Sequence, residues 1–366
     1  MNDWLSFLIS NAVSDELVHE SSGHESVRAF MMREIEYGAM AKGVGLADRS
    51  ERGLIEVRGA DRLEWCHNLL TNQIKTLGPG DGAYTFAVNL QGRIVFDCVV
   101  MVRPEEIWLD LDRSFVESAI AHLGKYIVVE DVELADRSDE FVRLGLAGPK
   151  MGDVMAALGA SNAAKMPWWG HAVIGWDGVE IPFLRHDFCG PPGVELFVPT
   201  EHAQRIWSAL TTMDIGVKVV PAGRDAVETH RIESGIPRSG FEIHEKVVVG
   251  ETLQLERAVS FTKGCYLGQE VVERMRSRGS LARCLVGFEI DGSSVPPVGA
   301  EVHEEGGKSV GRITSACDSI AKGGLIGMGY ARTAVSEPGS LLRVKWDNGE
   351  ADVVVSQLPF VQWADG

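Results

Sequence analysis

Residues 261–270 read FTKGCYLGQE, and this stretch decides how the rest of the chain is interpreted. It places Cys265 two residues after Lys263 and just before QEVVERMRSR, which predicts a helix beginning after Gly268. A helix N-terminus and a nearby ammonium group both favour the thiolate over the thiol. Local context therefore makes Cys265 a candidate for a reactive or metal-ligating sulfur, and the alternative is a cysteine that packs inside a turn.

The composition limits the class of protein. A chain of 366 residues is too long for one typical core, so we expect two or three domains. Its formal net charge of −17 argues against direct nucleic-acid binding, which needs a basic face. A bound anion would therefore need a local basic pocket.

The cysteines and the apolar segments indicate which metal sites and which cellular location to expect. The six cysteines are scattered without a Cys-x-x-Cys pair, so neither a zinc site nor a complete iron–sulfur site is indicated, and we predict no metal. No apolar run is long enough to cross a bilayer. The first residues, MNDWLSFLISN, lack the basic segment of a signal peptide. We therefore expect a cytoplasmic protein with no membrane partner.

The order of predicted elements indicates an α+β fold in three parts. Antiparallel strands and amphipathic helices alternate through residues 1–140 and again through 141–283, with an interleaved boundary. One helix is predicted from Asp61 to Leu77, with Cys66 on its buried face. From residue 284 to 366, short strands separated by glycine-rich turns predict a β barrel.

The stretch resembles a known signature, K-G-C-Y-x-G-Q-E, of the YgfZ family of folate-binding proteins. The matching positions are Lys263, Gly264, Cys265, Tyr266, Gly268, Gln269 and Glu270. Eukaryotic relatives of that family are mitochondrial iron–sulfur assembly factors. The family is related to the glycine-cleavage T-protein, an aminomethyltransferase, whose corresponding segment lacks the cysteine. Four further segments resemble segments of the T-protein: NLQGRIVFDCVV, GVELFVP, GRDAVETHRIESGIP and SVGRITSAC. The resemblance covers about residues 28–366.

The resemblance implies three domains in a ring around a central funnel that binds tetrahydrofolate. Asp97 aligns with an aspartate near the reactive nitrogens of the folate, and Glu195 aligns with a glutamate that holds the pterin ring. Arg231 lies in a segment near the pocket, and Asn89 is a further candidate for its lining. These residue types suit the ligand, because carboxylates accept from pterin N–H groups and arginine suits an anionic glutamate tail.

Each of these residues has a plain structural alternative. Without the resemblance, Asp97 would be a hydrogen-bonded structural aspartate. Glu195 would be an exposed strand residue, and Arg231 a surface helix residue paired with Glu228 or Glu233. A catalytic triad built on His186, Asp187 and Cys189 is not expected, because neighbours in sequence need not face one another.

Two functions follow from the resemblance, and a third interpretation is a folate-binding module with no chemistry. The first is a tetrahydrofolate-binding accessory factor for assembly or repair of iron–sulfur enzymes, including enzymes that modify transfer RNA. Cys265 would then present its thiolate to a cluster, a client or an oxidised sulfur, and the partners would be iron–sulfur client or assembly proteins. A cluster site would be shared or transient, since clusters usually take four protein ligands. The alternative is a folate-dependent methyl- or aminomethyltransferase centred on Asp97, with Cys265 structural. T-protein has two adjacent aspartates at this hairpin, whereas here Phe96 replaces the first and Asp97 retains the second.

Overall fold

The computed structural model describes residues 3–19, 23–278 and 281–363, without the side chains at 275, 277 and 278. The helices are α1 (Asp3–Ser10), α2 (Arg33–Lys42), α3 (Arg62–Leu69), α4 (Val116–Gly124), α5 (Met151–Ala157), α6 (Ala203–Thr212), α7 (Arg224–Glu233), α8 (Leu255–Ala258) and α9 (Gln269–Arg278). Within those residues, no helix combines the length and apolar character that crossing a membrane requires.

The strands form two open sheets, a closed barrel and a small ribbon. They are β1 (Leu17–His19), β2 (Glu25–Val27), β3 (Val44–Asp48), β4 (Arg52–Arg58), β5 (Gly82–Val88), β6 (Ile94–Val102), β7 (Ile107–Asp112), β8 (Glu133–Asp136), β9 (Phe141–Ala147), β10 (His171–Trp176), β11 (Val179–Arg185), β12 (Gly193–Pro199), β13 (Val219–Pro221), β14 (Arg283–Asp291), β15 (Glu301–His303), β16 (Ser309–Ser319), β17 (Gly324–Arg332), β18 (Leu341–Trp346) and β19 (Gly349–Ser356). Strands β1 and β2 make the ribbon.

The first open sheet is antiparallel, in the order β5-β6-β7-β4-β8. Its β5–β6 hairpin pairs Phe86 with Asp97. Alternate residues of a strand point to opposite faces. Accordingly, Phe96 and Cys98 pack into one core with α3 and α4, while Val99 packs into the central core on the other face. Asp97 therefore lies on the central face of this sheet.

The second open sheet runs in the order β10-β11-β12-β9-β3-β13. Its neighbours pair antiparallel except β3 with β13, which are parallel. Strand β3 comes from the first predicted domain and β9–β12 from the second. The sheet thus joins strands from both regions, and its core is covered by α1, α5 and α6.

The C-terminal strands close into a barrel in the order β14-β17-β16-β15-β18-β19. Strands β18 and β19 form a hairpin around Asp347 and Asn348. Apolar side chains fill its interior. Both the predicted α+β class and the predicted C-terminal barrel are confirmed.

The predicted helix from Asp61 to Leu77 is wrong at its C-terminal end, because α3 ends at Leu69. Beyond that point Leu70 bridges Ala87, and the backbone N–H of Thr71 donates to Phe86. The chain turns aside because its backbone hydrogen-bonds to β5. Cys66 lies in the core with 1% of its surface exposed, as predicted.

The central core lies where the two open sheets and the barrel meet. It contains Phe86 and Val99 from the first sheet, Phe197 from the second, and Met328 from the barrel. The segment from 232 to 272 also contributes, including Tyr266 of the cysteine stretch. This convergence places residues distant in sequence around one polar cavity.

Candidate functional site

A polar cavity of about 70 Å³ lies beside the central core. Because one water needs roughly 10–15 Å³ of such volume, the cavity has room for several waters or for part of a polar ligand. Its lining includes five arginines, Arg49, Arg52, Arg231, Arg238 and Arg257, and three carboxylates, Glu51, Asp97 and Asp112. Wider grooves of about 520 and 640 Å³ lie elsewhere, but none of the predicted site residues lines them.

Asp97 lies in the cavity wall, with 8% of its surface exposed. The Tyr84 hydroxyl donates to its Oδ2 at 2.8 Å, and the Ser239 hydroxyl donates to its Oδ1. Burial raises the pKa of the Asp97 carboxyl, although the two hydroxyl donors and the charge of Arg52 oppose that rise. The carboxylate is therefore held by neutral donors and faces the polar cavity, an arrangement suited to accepting N–H groups or a proton.

Glu195 lies behind the cavity wall and is fully buried, so the interpretation as an exposed strand residue is wrong. Arg143 donates to its Oε2 at 2.5 Å, and Nδ1 of His186 lies 2.7 Å from its Oε1. Burial alone would raise the pKa of this carboxyl, but the charges of Arg143 and Arg49 hold it well below its usual range. Both oxygens of the carboxylate already have partners within the protein.

His186 lines the cavity and is a residue that the sequence analysis did not assign to the site. A carboxylate can only accept, so Glu195 fixes the proton of the neutral imidazole on Nδ1 and leaves Nε2 as an acceptor. Burial lowers the pKa of His186, although Glu195 opposes that shift. Asp187 instead pairs with Arg185, and Cys189 is buried. These partners match the expectation that no triad forms here.

Arg231 lines the cavity, but its guanidinium is held by the protein. It donates to Glu228, to Glu242 at 3.3 Å, to the Ile236 carbonyl and to the Ser315 hydroxyl at 2.7 Å. Ser315 belongs to barrel strand β16, so this arginine joins α7 to the barrel. Of the two carboxylates considered from the sequence, Glu228 is the partner, and the residue is buried rather than on the surface.

Asn89 is not among the residues that line the cavity. Its Oδ1 accepts from the backbone N–H groups of Gln91 at 3.0 Å and Arg93 at 3.1 Å. These bonds shape the turn between β5 and β6. The turn instead lies against the cysteine stretch, because a Cβ added to Gly268 would lie 2.5 Å from the Asn89 carbonyl oxygen.

Lys263 is buried and binds the end of α3. Its ammonium donates to the carbonyls of His67, Leu70 at 2.6 Å and Asn72 at 2.9 Å. Burial lowers the pKa of the ammonium to about 7, although the nearby Cys66 thiol opposes that shift. Lys263 was expected to place a positive charge beside the Cys265 thiol. Its ammonium instead makes its hydrogen bonds to these three backbone carbonyls. It anchors the segment to one carbonyl in the last turn of α3 and to two carbonyls just beyond that helix.

Three other motif residues, Tyr266, Gly268 and Gln269, also hold the segment in place. Tyr266 is buried in the central core, and its backbone N–H donates to Oε1 of Gln269 at 3.3 Å. Gly268 has φ +79°, a conformation that favours glycine. Gly264 and Glu270 are exposed, and Glu270 accepts from Arg274 at 2.5 Å on the outer face of α9.

Cys265 is exposed and is not among the residues that line the cavity. It differs in this from Cys66, Cys98 and Cys189, which are buried. Burial raises the pKa of the Cys66 thiol to about 12. Across the described ranges, no group of three or more histidine, cysteine or acidic residues is placed to hold a metal.

Comparison with known proteins matches nearly the whole chain. Residues 17–263 match the family described as the GCVT N-terminal domain, and residues 283–362 match the glycine cleavage T-protein C-terminal barrel domain. An aminomethyltransferase of Chloroherpeton thalassium is 28% identical over 329 residues, covering 89% of this chain and 90% of that protein. Another, of Caldanaerobacter subterraneus, is 29% identical over 329 residues, covering 89% and 87%.

A solved structure matches the fold. The crystal structure of aminomethyltransferase T of the glycine cleavage system from Bartonella henselae superposes with a TM-score of 0.86 and 20% sequence identity. The match covers 97% of this chain and 96% of that one. The predicted T-protein-like architecture is thereby confirmed, and the chain belongs to the glycine cleavage T-protein family.

Proposed function

We propose that the protein binds a tetrahydrofolate in the cavity around Asp97 and serves iron–sulfur enzymes as an accessory factor through Cys265. The folate part is supported by membership of the T-protein family and by the polar lining of the cavity. Although the chain carries a net charge of −17, five arginines face three carboxylates in that lining. Guanidinium groups in this lining are suitable hydrogen-bond donors for an anionic ligand in an otherwise acidic protein.

Asp97 is the residue we propose to contact the pterin. Its carboxylate is held by the hydroxyls of Tyr84 and Ser239, and a buried carboxylate is a strong acceptor for N–H donors. His186 would add an acceptor through Nε2. Glu195 would act on the ligand through His186, because both of its oxygens already have partners.

The observation that carries the accessory role is the exposure of Cys265 within an anchored segment. Its neighbours Lys263 and Tyr266 are buried, while the thiol is presented to solvent just before α9. A thiol in such a position can meet a partner protein without entering the cavity. Since a cluster usually takes four protein ligands, the partner would supply the remaining ones.

The second candidate is a tetrahydrofolate-dependent aminomethyl- or methyltransferase. It is favoured by the relatives named aminomethyltransferase and by the retained Asp97 in the cavity wall. In this case Asp97 would guide proton transfer at the folate nitrogen, and Cys265 would have no part in turnover.

Cells lacking the protein provide the test. They would receive wild type, Cys265→Ser, Asp97→Asn or the control Cys284→Ser, and the activity of a cluster-dependent enzyme that methylthiolates transfer RNA would be measured. We expect wild type and Cys284→Ser to restore activity, and Cys265→Ser to fail although it folds and binds tetrahydrofolate. Full restoration by Cys265→Ser contradicts the accessory role. One-carbon transfer to tetrahydrofolate by the purified protein, lost in Asp97→Asn, would establish the transferase instead.

A further inference from the structure

Arg257 lies among three aromatic rings at one side of the cavity. Its guanidinium carbon is 4.3 Å from the ring centroid of Trp168, 4.8 Å from Trp169 and 5.6 Å from Tyr84. All three distances fall within the range of cation–π attraction. Tyr84 and Trp169 are buried, whereas Trp168 is 48% exposed. This aromatic cage, formed by Tyr84, Trp168 and Trp169, therefore extends from the cavity wall to the surface.

Arg257 differs from the other four cavity arginines in its partners. Each of those four lies within ion-pair distance of a carboxylate: Arg49 of Glu51, Arg52 of Asp110, Arg231 of Glu228, and Arg238 of Glu228. For Arg257, no carboxylate within ion-pair distance occurs among the residues that the structure describes. Its Nη1 lies 3.5 Å from Oε1 of Gln254, and its buried Nε has no hydrogen-bond partner in the described part of the chain.

Removing the positive charge of Arg257 from water costs free energy unless a negative charge lies close to it. Burial lowers the pKa of Arg257, which reflects the loss of water around its guanidinium. Aromatic faces attract a cation but do not neutralise it or accept its in-plane N–H groups. The remaining donors of the guanidinium form a planar fork whose geometry matches a carboxylate. The missing partner is therefore an anion, and the cavity position indicates that a ligand brings it.

We propose that Arg257 and the aromatic cage form the subsite for the anionic end of the ligand, a carboxylate of the glutamate tail of tetrahydrofolate. This subsite rests on the proposed folate function. It also sets the direction of binding, with the pterin toward Asp97 and the tail toward Trp168. Tyr84 connects both ends, since its ring belongs to the cage and its hydroxyl donates to Asp97 at 2.8 Å. Arg231 is excluded from this role by its contacts with Glu228, Glu242 and the barrel.

Binding measurements with two ligands test the subsite. Dissociation constants would be measured by calorimetry for tetrahydrofolate and for its diamide, in which both tail carboxylates are neutral. The proteins would be wild type, Arg257→Gln, Arg257→Lys and the surface control Arg205→Gln, whose ion pair with Asp177 is exposed. A hydrogen-bonded charge contributes about 1.5–3 kcal/mol, so we expect wild type to prefer the charged ligand by about 10- to 100-fold.

Each protein has a distinct expected outcome. Arg257→Gln should bind the two ligands equally, Arg257→Lys should keep part of the preference, and Arg205→Gln should behave as wild type. Should folded Arg257→Gln retain the full preference, or wild type show none, the subsite is overturned while folate binding stands. If wild type binds neither ligand, the proposed folate function itself fails. Because the lysine variant keeps the charge, its partial preference separates loss of charge from loss of folding.

Discussion

Nδ1 of His186 lies 2.7 Å from Oε1 of Glu195, and Arg143 donates to the other oxygen of the same carboxylate at 2.5 Å. The buried charge of Glu195 is thus compensated on one side by a permanent cation and on the other by an imidazole N–H. This arrangement determines which tautomer of His186 lines the cavity. It also leaves Nε2 of His186 as the atom that a ligand can contact.

The first prediction concerns pH and His186. Because its pKa is lowered in the folded protein, the unfolded chain binds a proton that the folded chain does not. The stabilising effect of a neutral His186 is therefore present above the ordinary histidine pKa of about 6.5 and is lost as the pH falls below it. We expect the stability difference between wild type and His186→Gln to shrink between pH 7.5 and 5.5. Urea unfolding at both pH values measures it, and a constant difference would contradict the assignment.

The second prediction has the opposite sign and concerns Asp97. Burial raises the pKa of this carboxyl, so the folded protein retains a proton that the unfolded chain has lost. The cost of ionising Asp97 therefore appears as the pH rises above the ordinary aspartate pKa of about 3.9, and it is complete above the raised value. We expect Asp97→Asn to stabilise the protein at pH 7.5 by roughly 0.5–2 kcal/mol, and the gain to vanish in acid. Thermal unfolding across pH tests this, and a less stable variant at neutral pH would refute it.

The third prediction concerns Lys263. Replacing it with Met removes the donor shared by the carbonyls of His67, Leu70 and Asn72. Buried carbonyls without a donor are costly, so we expect a loss of about 2–4 kcal/mol in the free energy of unfolding. The matched control is Lys75→Met, whose partner Glu64 is exposed, and which should change stability by less than about 1 kcal/mol. Equal effects of the two changes would contradict the anchoring role.

The sequence predicted the barrel and the sheets because alternating apolar residues and glycine-rich turns are local signals. The helix predicted after Asp61 was too long because the apolar spacing continues to Leu77. The helix ends earlier because the backbone of Thr71 hydrogen-bonds to β5, which is a long-range contact. Local pattern cannot report where a distant strand will offer hydrogen bonds. Tertiary pairing decided the end of that helix.

Only part of the candidate site could be predicted from the sequence. The resemblance led to Asp97 and Arg231, and both line the cavity. Local spacing allowed the pairing of Arg231 with Glu228, three residues away. It could not show that Arg231 also binds Ser315 of the barrel, or that Arg257 lacks a carboxylate partner among the described residues, because those facts depend on residues far apart in the chain. The adjacent residues Trp168 and Trp169 could have indicated a site for a cation. No local pattern in the sequence connected them with Arg257.

The fourth prediction concerns thiol accessibility. Cys265 is exposed, while burial raises the pKa of the thiols of Cys66, Cys98 and Cys189. Since the thiolate is the reacting form, we expect iodoacetamide to modify Cys265 first in the native protein. Peptide mass spectrometry over a time course locates the modified residue. Faster modification of any of these three buried cysteines in the folded protein would contradict this order.

The last prediction separates the two glycines that flank Cys265. Gly268 has φ +79°, and an added Cβ would lie 2.5 Å from the Asn89 carbonyl oxygen and 2.8 Å from a methyl group of Val88. A Cβ added to Gly264 would meet no atom of the described residues within 4 Å, and this glycine lacks the left-handed conformation. Gly268→Ala thus requires both backbone strain, roughly 1–3 kcal/mol, and movement away from the β5–β6 turn.

We therefore expect Gly268→Ala to lower the free energy of unfolding by about 2–4 kcal/mol and to loosen the segment that presents the thiol. Gly264→Ala should change stability by less than about 1 kcal/mol. Hydrogen exchange of residues 263–270 in both variants measures the local effect, and urea unfolding measures the global one. If the two variants exchange alike, Gly268 does not hold the segment against the turn, and the presentation of Cys265 depends on Lys263 and Tyr266 instead.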